Sequence, residues 1–168
     1  MARIIKDRHI VDDNWQLIKP ADDGAIPELP DNGDIIVPLD FWLAKKDELR
    51  QRRGRTGVWL DSHQEPQLLG QDLPSLPLVA VNFPKFADGR GFSIGRLLRE
   101  RYHYQGELRA IGDVLRDQIL YMHRCGFNAF AVRADKSIED ALKAFNDFSD
   151  GYQVSVDRPL PLFRRRLN

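Results

Sequence analysis

The residues with the densest chemistry run Asp88-Gly89-Arg90-Gly91-Phe92-Ser93-Ile94-Gly95-Arg96. Gly89 and Gly91 let the backbone come close to a ligand, and the N–H groups that open a helix favour an anion. Arg90 and Arg96 can add charge-assisted hydrogen bonds, and Ser93 can donate to an oxyanion. The pattern is not a dinucleotide fingerprint. Gly89, Gly91 and Gly95 read G-x-G-x-x-x-G, one residue longer than that motif, and the unit is not the first in the chain. Nor is it a Walker loop, because no Gly-Lys-Ser/Thr follows. Three readings stay open: an anion site, a catalytic loop, or a tight βα turn with Ser93 as a plain helix cap.

Other polar groups are expected at the same edge. Asp113 follows Gly112 and opens the next helix, either as a cap or as a base. Arg109 lies in a strand interior, where an unpaired guanidinium is costly, so Asp88 or Asp113 is its expected partner. Arg116 and Asp117 fall in the first helical turn, where Arg116 can reach a bound anion. Arg133, Asp135 and Lys136 complete a charged rim.

Nucleophile and metal chemistry find less support. Cys125 stands just before Gly126, at a helix C-terminus whose partial negative charge opposes thiolate formation, and reads as a structural cysteine. His9, His63, His103 and His123 show no ligand spacing, so no metal site is expected. There is no G-x-S-x-G elbow. Trp15, Trp42 and Trp59 read as core or interface residues rather than a flavin platform. No cofactor motif is evident, which leaves a flavin or a nucleotide open.

The positioning framework must fit in 168 residues, the length of one domain. Hydrophobic residues make up 42%, enough for a sizeable core. Lys plus Arg and Asp plus Glu are 25 each, which argues against a general nucleic-acid binder. No apolar run nears the roughly 18 residues of a membrane span, and the first residues lack a signal peptide's apolar stretch. One cysteine excludes an internal disulfide and a thiolate-held zinc or iron–sulfur site. The expectation is a cytoplasmic globular domain. Its zero net charge hides an acidic front, with nine acids against four bases in residues 1–40. Arg158, Arg164, Arg165 and Arg166 make the end basic.

The elements follow from periodicity and punctuation. Ala2–Ile5 and Trp15–Ile18 flank Asp12-Asp13-Asn14 and predict a β-hairpin. The Pro- and Gly-rich stretch 20–33 predicts a loop. Ile35–Leu39 is a short strand, and Asp40 caps a helix from about Phe41 to Arg53, stopped by Gly54. Gly57–Leu60 is a strand, and residues 61–76, with Pro66, Gly70 and Pro74, are irregular. Leu78–Phe83 is the clearest buried strand. Ile94, Leu97, Leu98 and Tyr102 then mark a helix capped by Ser93. Leu108–Ile111, an Asp113-capped helix ended by Gly126, and Phe127–Val132 follow. Ser137 opens a last helix with Ile138, Ala141, Leu142, Phe145 and Phe148 on one face.

Repeated βα units predict an α/β fold with about five mostly parallel strands, flanking helices and an N-terminal β-hairpin. An open sheet with helices on both faces is the first reading. A half-barrel that pairs with a second copy is the alternative, because a complete (β/α)₈ barrel needs at least about 200 residues. The divisions are an acidic hairpin and loop over 1–34, the α/β domain over 35–156, and a Pro/Arg tail over 157–168.

The run from Phe83 to Tyr152 closely resembles the bacterial family called domain of unknown function 934. Asp88-Gly-Arg-Gly-Phe-Ser, Gly106-Glu-Leu-Arg-Ala-Ile-Gly-Asp113 and Met122-His-Arg-Cys-Gly-Phe127 carry the likeness. Family members are labelled probable oxidoreductases and are commonly encoded beside a haem-containing assimilatory sulfite reductase. The resemblance therefore implies sulfur assimilation, with cysteine as eventual product and sulfite reductase as partner, and it carries over no catalytic residues. Two readings follow. One is an accessory protein that docks on the reductase, with the extended tail Arg158–Asn168 as a contact segment. The other is a small enzyme that binds an anionic or phosphate-bearing ligand at Asp88–Arg96. A homodimer is compatible with both; nucleic acid and membrane partners are not expected.

Overall fold

The computed structural model describes residues 2–84 and 89–147. Asp88, Phe148 and the expected tail 157–168 lie outside the described residues. Three short strands come first: β1 (Arg3–Lys6), β2 (His9–Asp12) and β3 (Trp15–Leu17). Then follow β4 (Asp34–Pro38), α1 (Leu39–Arg50), β5 (Thr56–Leu60) and a 3₁₀ segment, Pro66–Ser75, interrupted at Gly70. Next are β6 (Leu78–Phe83), α2 (Arg90–Glu100), β7 (Glu107–Gly112) and α3 (Arg116–Arg124). The last are β8 (Ala129–Phe130), α4 (Ile138–Leu142) and α5 (Ala144–Asp147).

All eight strands form one sheet in the order β2-β1-β8-β7-β6-β5-β4-β3. From β3 to β8 every neighbour is parallel and consecutive in the chain; β1 joins β8 and β2 in antiparallel pairs. A sheet wound in one direction by right-handed crossovers carries its connections on a single face. Ile35, Val37, Val58, Leu60, Val79, Val81, Leu108, Ala110 and Phe130 turn to that face and pack with Leu98, Ile119 and Met122 of the helices. The opposite, concave face holds a smaller cluster, Ile36, Leu78, Ala80 and Ile111, covered by Trp15, Leu17, Trp59 and Ala131.

Two expectations are corrected here. The sheet is a curled half-barrel, as the alternative reading had it, and not an open sheet with helices on both faces; it has eight mixed strands rather than about five mostly parallel ones. The N-terminal hairpin exists, but its second strand is His9–Asp12 rather than Trp15–Ile18. Asp7 and Arg8 make its turn with φ of 50° and 68°, the left-handed pair that a two-residue hairpin turn demands. Trp15–Leu17 pairs instead with β4, at the far edge of the sheet.

That placement forces the curl. Only Asp13 and Asn14 separate the end of β2 from the start of β3, so the two outermost strands approach within about 11 Å at that end. Asp13 reaches into the concave face, where Arg109, 3% exposed, donates from Nη1 to its carboxylate at 3.0 Å. Glu107 takes the other side of the guanidinium at 2.8 Å and also pairs with Lys6 at 3.0 Å. Among the described residues Arg109 therefore has Asp13 and Glu107 as partners, not Asp113; the other expected partner, Asp88, lies outside them. It sits near the amino end of β7, whereas Asp113 lies past the carboxyl end.

Candidate functional site at the carboxyl edge

In sheets built from βα units, ligands usually sit beyond the carboxyl ends of the strands. Here that edge is polar and connected. Asn82 is the one polar side chain in the apolar run of β6, and its amide donates to Asp61 Oδ1 at 3.1 Å, just past β5. Asp61 is fixed further by the Ser62 N–H at 2.9 Å, while its own N–H donates to Gln64 Oε1 at 2.8 Å. Gln64 in turn donates to Asp40 at 3.3 Å, beside the end of β4. A single chain of hydrogen bonds thus spans the ends of β4, β5 and β6.

Gly112 makes the next link. Its φ of +91° and the closeness of Asn82 Oδ1 and the Phe83 carbonyl leave no room for a Cβ. The chain can then turn so that the Asp113 N–H donates to the Phe83 carbonyl at 2.8 Å. The Asp113 carboxylate takes Arg133 Nη1 at 2.6 Å, and Asp135 takes Arg133 Nε and Nη2 at 2.6 and 2.9 Å. Hydrogen bonds donated to the two carboxylates, Asp135 first, raise the Arg133 pKa further, and Arg133 holds the Asp135 carboxyl below its ordinary value. Asn82, Phe83, Pro84, Gly112, Asp113 and Arg133 line an open cavity of about 510 Å³.

The glycine-rich segment is used differently from its sequence reading. The helix begins at Arg90 with Gly89 as N-cap, so Ser93 is not the cap; its hydroxyl donates back to the Gly89 carbonyl at 3.3 Å. Gly89 and Arg90 are exposed at the helix start. Gly91 is buried against the Phe83 ring and Gly95 against Phe127, so these two glycines let α2 lie close on aromatic side chains. Arg96, nearly two turns along, points to Cys125 Sγ at 3.9 Å and to Glu100 at 3.5 Å. Cys125 itself is buried.

Asp113 is likewise not a helix cap: α3 begins at Arg116 after Leu115, with no side-chain cap. Arg116 pairs with Asp140 at 2.9 Å in a separate cavity of about 390 Å³, lined also by Lys136 and Ser137. Ser137 does cap α4, accepting from the Asp140 N–H at 3.1 Å. Of the expected site residues, the structure brings Asp113 to the cavity and places Arg109 away from it, in the concave face. Arg133, expected only in the rim, is central. Asp61 and Asn82 were missed, though a lone amide in an apolar strand was a readable signal.

Among the described residues no three His, Cys, Asp or Glu side chains are grouped to hold a metal ion, and no helix is long and apolar enough to cross a membrane. The family described as bacterial protein of unknown function (DUF934) matches residues 57–163. No curated protein matches the chain.

Proposed function

Because the chain belongs to the DUF934 family of bacterial proteins, we propose that it serves assimilatory sulfite reduction as an accessory protein that docks on sulfite reductase. The resemblance supplies the pathway, and the chemistry of the carboxyl edge supports the accessory role. The observation that carries it is the state of the rim: Arg133 is clamped by Asp113 and Asp135, and Asp135 is held below its ordinary pKa. A general base working near neutrality needs a pKa raised towards the operating pH, so Asp135 is displaced the wrong way. Fixed, ionised groups of both signs suit recognition of a complementary surface.

Affinity capture with the tagged full chain from sulfate-grown cells should retain sulfite reductase, and Arg133→Gln should weaken that retention. A strain lacking the chain should grow poorly on sulfate and recover with cysteine. Normal growth on sulfate together with no retained reductase would refute the proposal.

A second reading, a small α/β enzyme of oxidoreductase type that binds an anionic or phosphate-bearing ligand beside residues 88–96, is favoured by the cavity at the same edge. Calorimetric titration with sulfate, sulfite and phosphate, beside an Arg90→Ala/Arg96→Ala variant, separates it from the first. Equal heats for the two proteins would remove it. An absorption spectrum of the purified chain would reveal a bound flavin.

A further inference from the structure

We propose that two copies of this chain meet about a two-fold axis on the face formed by the loop between β3 and β4 and the end of α1. The two halves of that face carry opposite charge. Residues 20–34, in and just after the loop, hold five acids and no base. Residues 45–55, at the end of α1 and beyond it, hold six bases against two acids. The halves are fixed side by side. Arg52 Nη2 donates to the carbonyls of Pro30 at 2.8 Å and Gly33 at 3.2 Å, and Arg55 pairs with Asp34 at 2.8 Å. Gly54, with φ +107°, lies so close on the Gly33 backbone that a Cβ has no room. Where loop and helix meet, Leu29 and Phe41 form a half-buried apolar strip.

Contacts within the chain leave both halves charged. Asp34 is taken by Arg55, but Asp22, Asp23, Glu28 and Asp31 are exposed and form no ion pair among the described residues. Lys46 and Arg50 share the one carboxylate of Asp72, at 3.0 and 2.8 Å. Arg53 is exposed and forms no ion pair among the described residues. A partner of one sign that suits either half is repelled by the half beside it. A second copy turned about a two-fold axis suits both, because its acidic half then covers the basic half and its basic half the acidic one. The axis passes through the apolar strip, which gives the contact a drier centre inside a charged rim. Exposed charge pairs are screened by salt, so this dimer depends on ionic strength.

Sedimentation velocity of the full chain tests this directly. A dimer should form at about 0.05 M salt, and its dissociation constant should rise at least about tenfold at about 1 M, where the screening length is about 3 Å. Asp22→Lys/Glu28→Lys/Asp31→Lys reverses the acidic half, and Gln51→Glu/Arg53→Glu weakens the basic one. All five positions are exposed. Each variant alone should be monomeric at low salt, and an equimolar mixture should form a heterodimer, because the two sets of changes compensate each other across the axis. A wild-type chain that stays monomeric at low salt up to about 100 µM overturns the proposal. So does a dimer that ignores salt and both variants, which places its interface elsewhere. Folded variants that form no heterodimer overturn the charge pairing. Should either variant fail to fold, Asp31→Asn and Arg53→Gln decide. Each should weaken the dimer at least about threefold, and unaltered dimerisation refutes the inference. None of these positions belongs to the rim at Arg133, so reductase docking is judged separately.

Discussion

Removing the Asp13 carboxylate should loosen the curl of the sheet at its amino end. Asp13 accepts from Arg109 at 3.0 Å and from the Trp15 N–H at 3.1 Å, so it ties the centre of the sheet to the first residue of its far edge. The two side chains are 3% and 12% exposed, and neither can turn to water without opening the concave face. Breaking a buried ion pair by deleting one partner costs about 3–5 kcal/mol. Glu107 still holds Arg109 at 2.8 Å, which places Asp13→Ala near the lower end, at about 3 kcal/mol. Asp13→Asn keeps both acceptor contacts and loses only the charge, so about half that loss is expected.

Urea unfolding read by linear extrapolation is the assay, with a lower midpoint and an unchanged slope as the expected result. For a chain of this length, about 3 kcal/mol corresponds to a fall in melting temperature of roughly 6–12 °C. Arg109→Met tests the reasoning from the other side. Once the guanidinium is gone Asp13 has lost its counter-charge, so the double variant should be less destabilised than the sum of the two single ones. An Asp13→Ala protein within about 0.5 kcal/mol of wild type would refute the argument. Strict additivity in the double-variant cycle would refute the coupling.

Two further outcomes follow from local packing and charge. A Cβ at Gly95 would stand 2.8 Å from Phe127 Cζ, and Phe127 is 1% exposed and cannot swing aside. Gly95→Ala should therefore destabilise by about 1 kcal/mol or more, although it gains about 1 kcal/mol of helix propensity; thermal melting would show the opposite if Phe127 could yield. Asp72 feels burial, which pushes its carboxyl up, but hydrogen bonds from Lys46 and Trp42 and the charges of Lys46 and Arg50 outweigh it, leaving the pKa below the ordinary value. That stability is present above about pH 4 and is lost as the pH falls through the lowered folded pKa. Urea midpoints measured from neutrality down to about pH 3 should fall less steeply in Asp72→Asn than in wild type.

Local signals were legible in the sequence where one element decides its own conformation. The apolar run Leu78–Phe83 is β6 to the residue, and Gly126 does end α3, with φ +112°. Ile94 and Leu98 are buried on α2 as their spacing requires. What could not be read depends on partners far along the chain. Trp15–Leu17 is three residues long, too short to carry a register signal, so its pairing is set by β4 rather than by its own pattern. The Asp13–Arg109 contact joins residues 96 positions apart, and Asn82 meets Asp61 across 21. Gly91 is a different case. A glycine that admits a ligand and one that admits an aromatic ring look the same in sequence, and only Phe83, packed against it, shows the ring.

The same chemistry, arginine between two acids, occurs at both ends of the sheet with opposite consequences. At the amino end Arg109, with Asp13 and Glu107, is enclosed by the curl and its charges are spent on closing the concave face. At the carboxyl end Arg133, with Asp113 and Asp135, is partly exposed and lines an open cavity. Burial separates the two roles. An enclosed charge triad loses several kcal/mol when broken, so Asp13→Ala should be read in stability. An exposed one contributes little to folding, so Arg133→Gln should leave melting almost unchanged and, on the docking proposal, be read in reductase binding. A large melting shift for Arg133→Gln would mean that the carboxyl edge, too, holds the fold together.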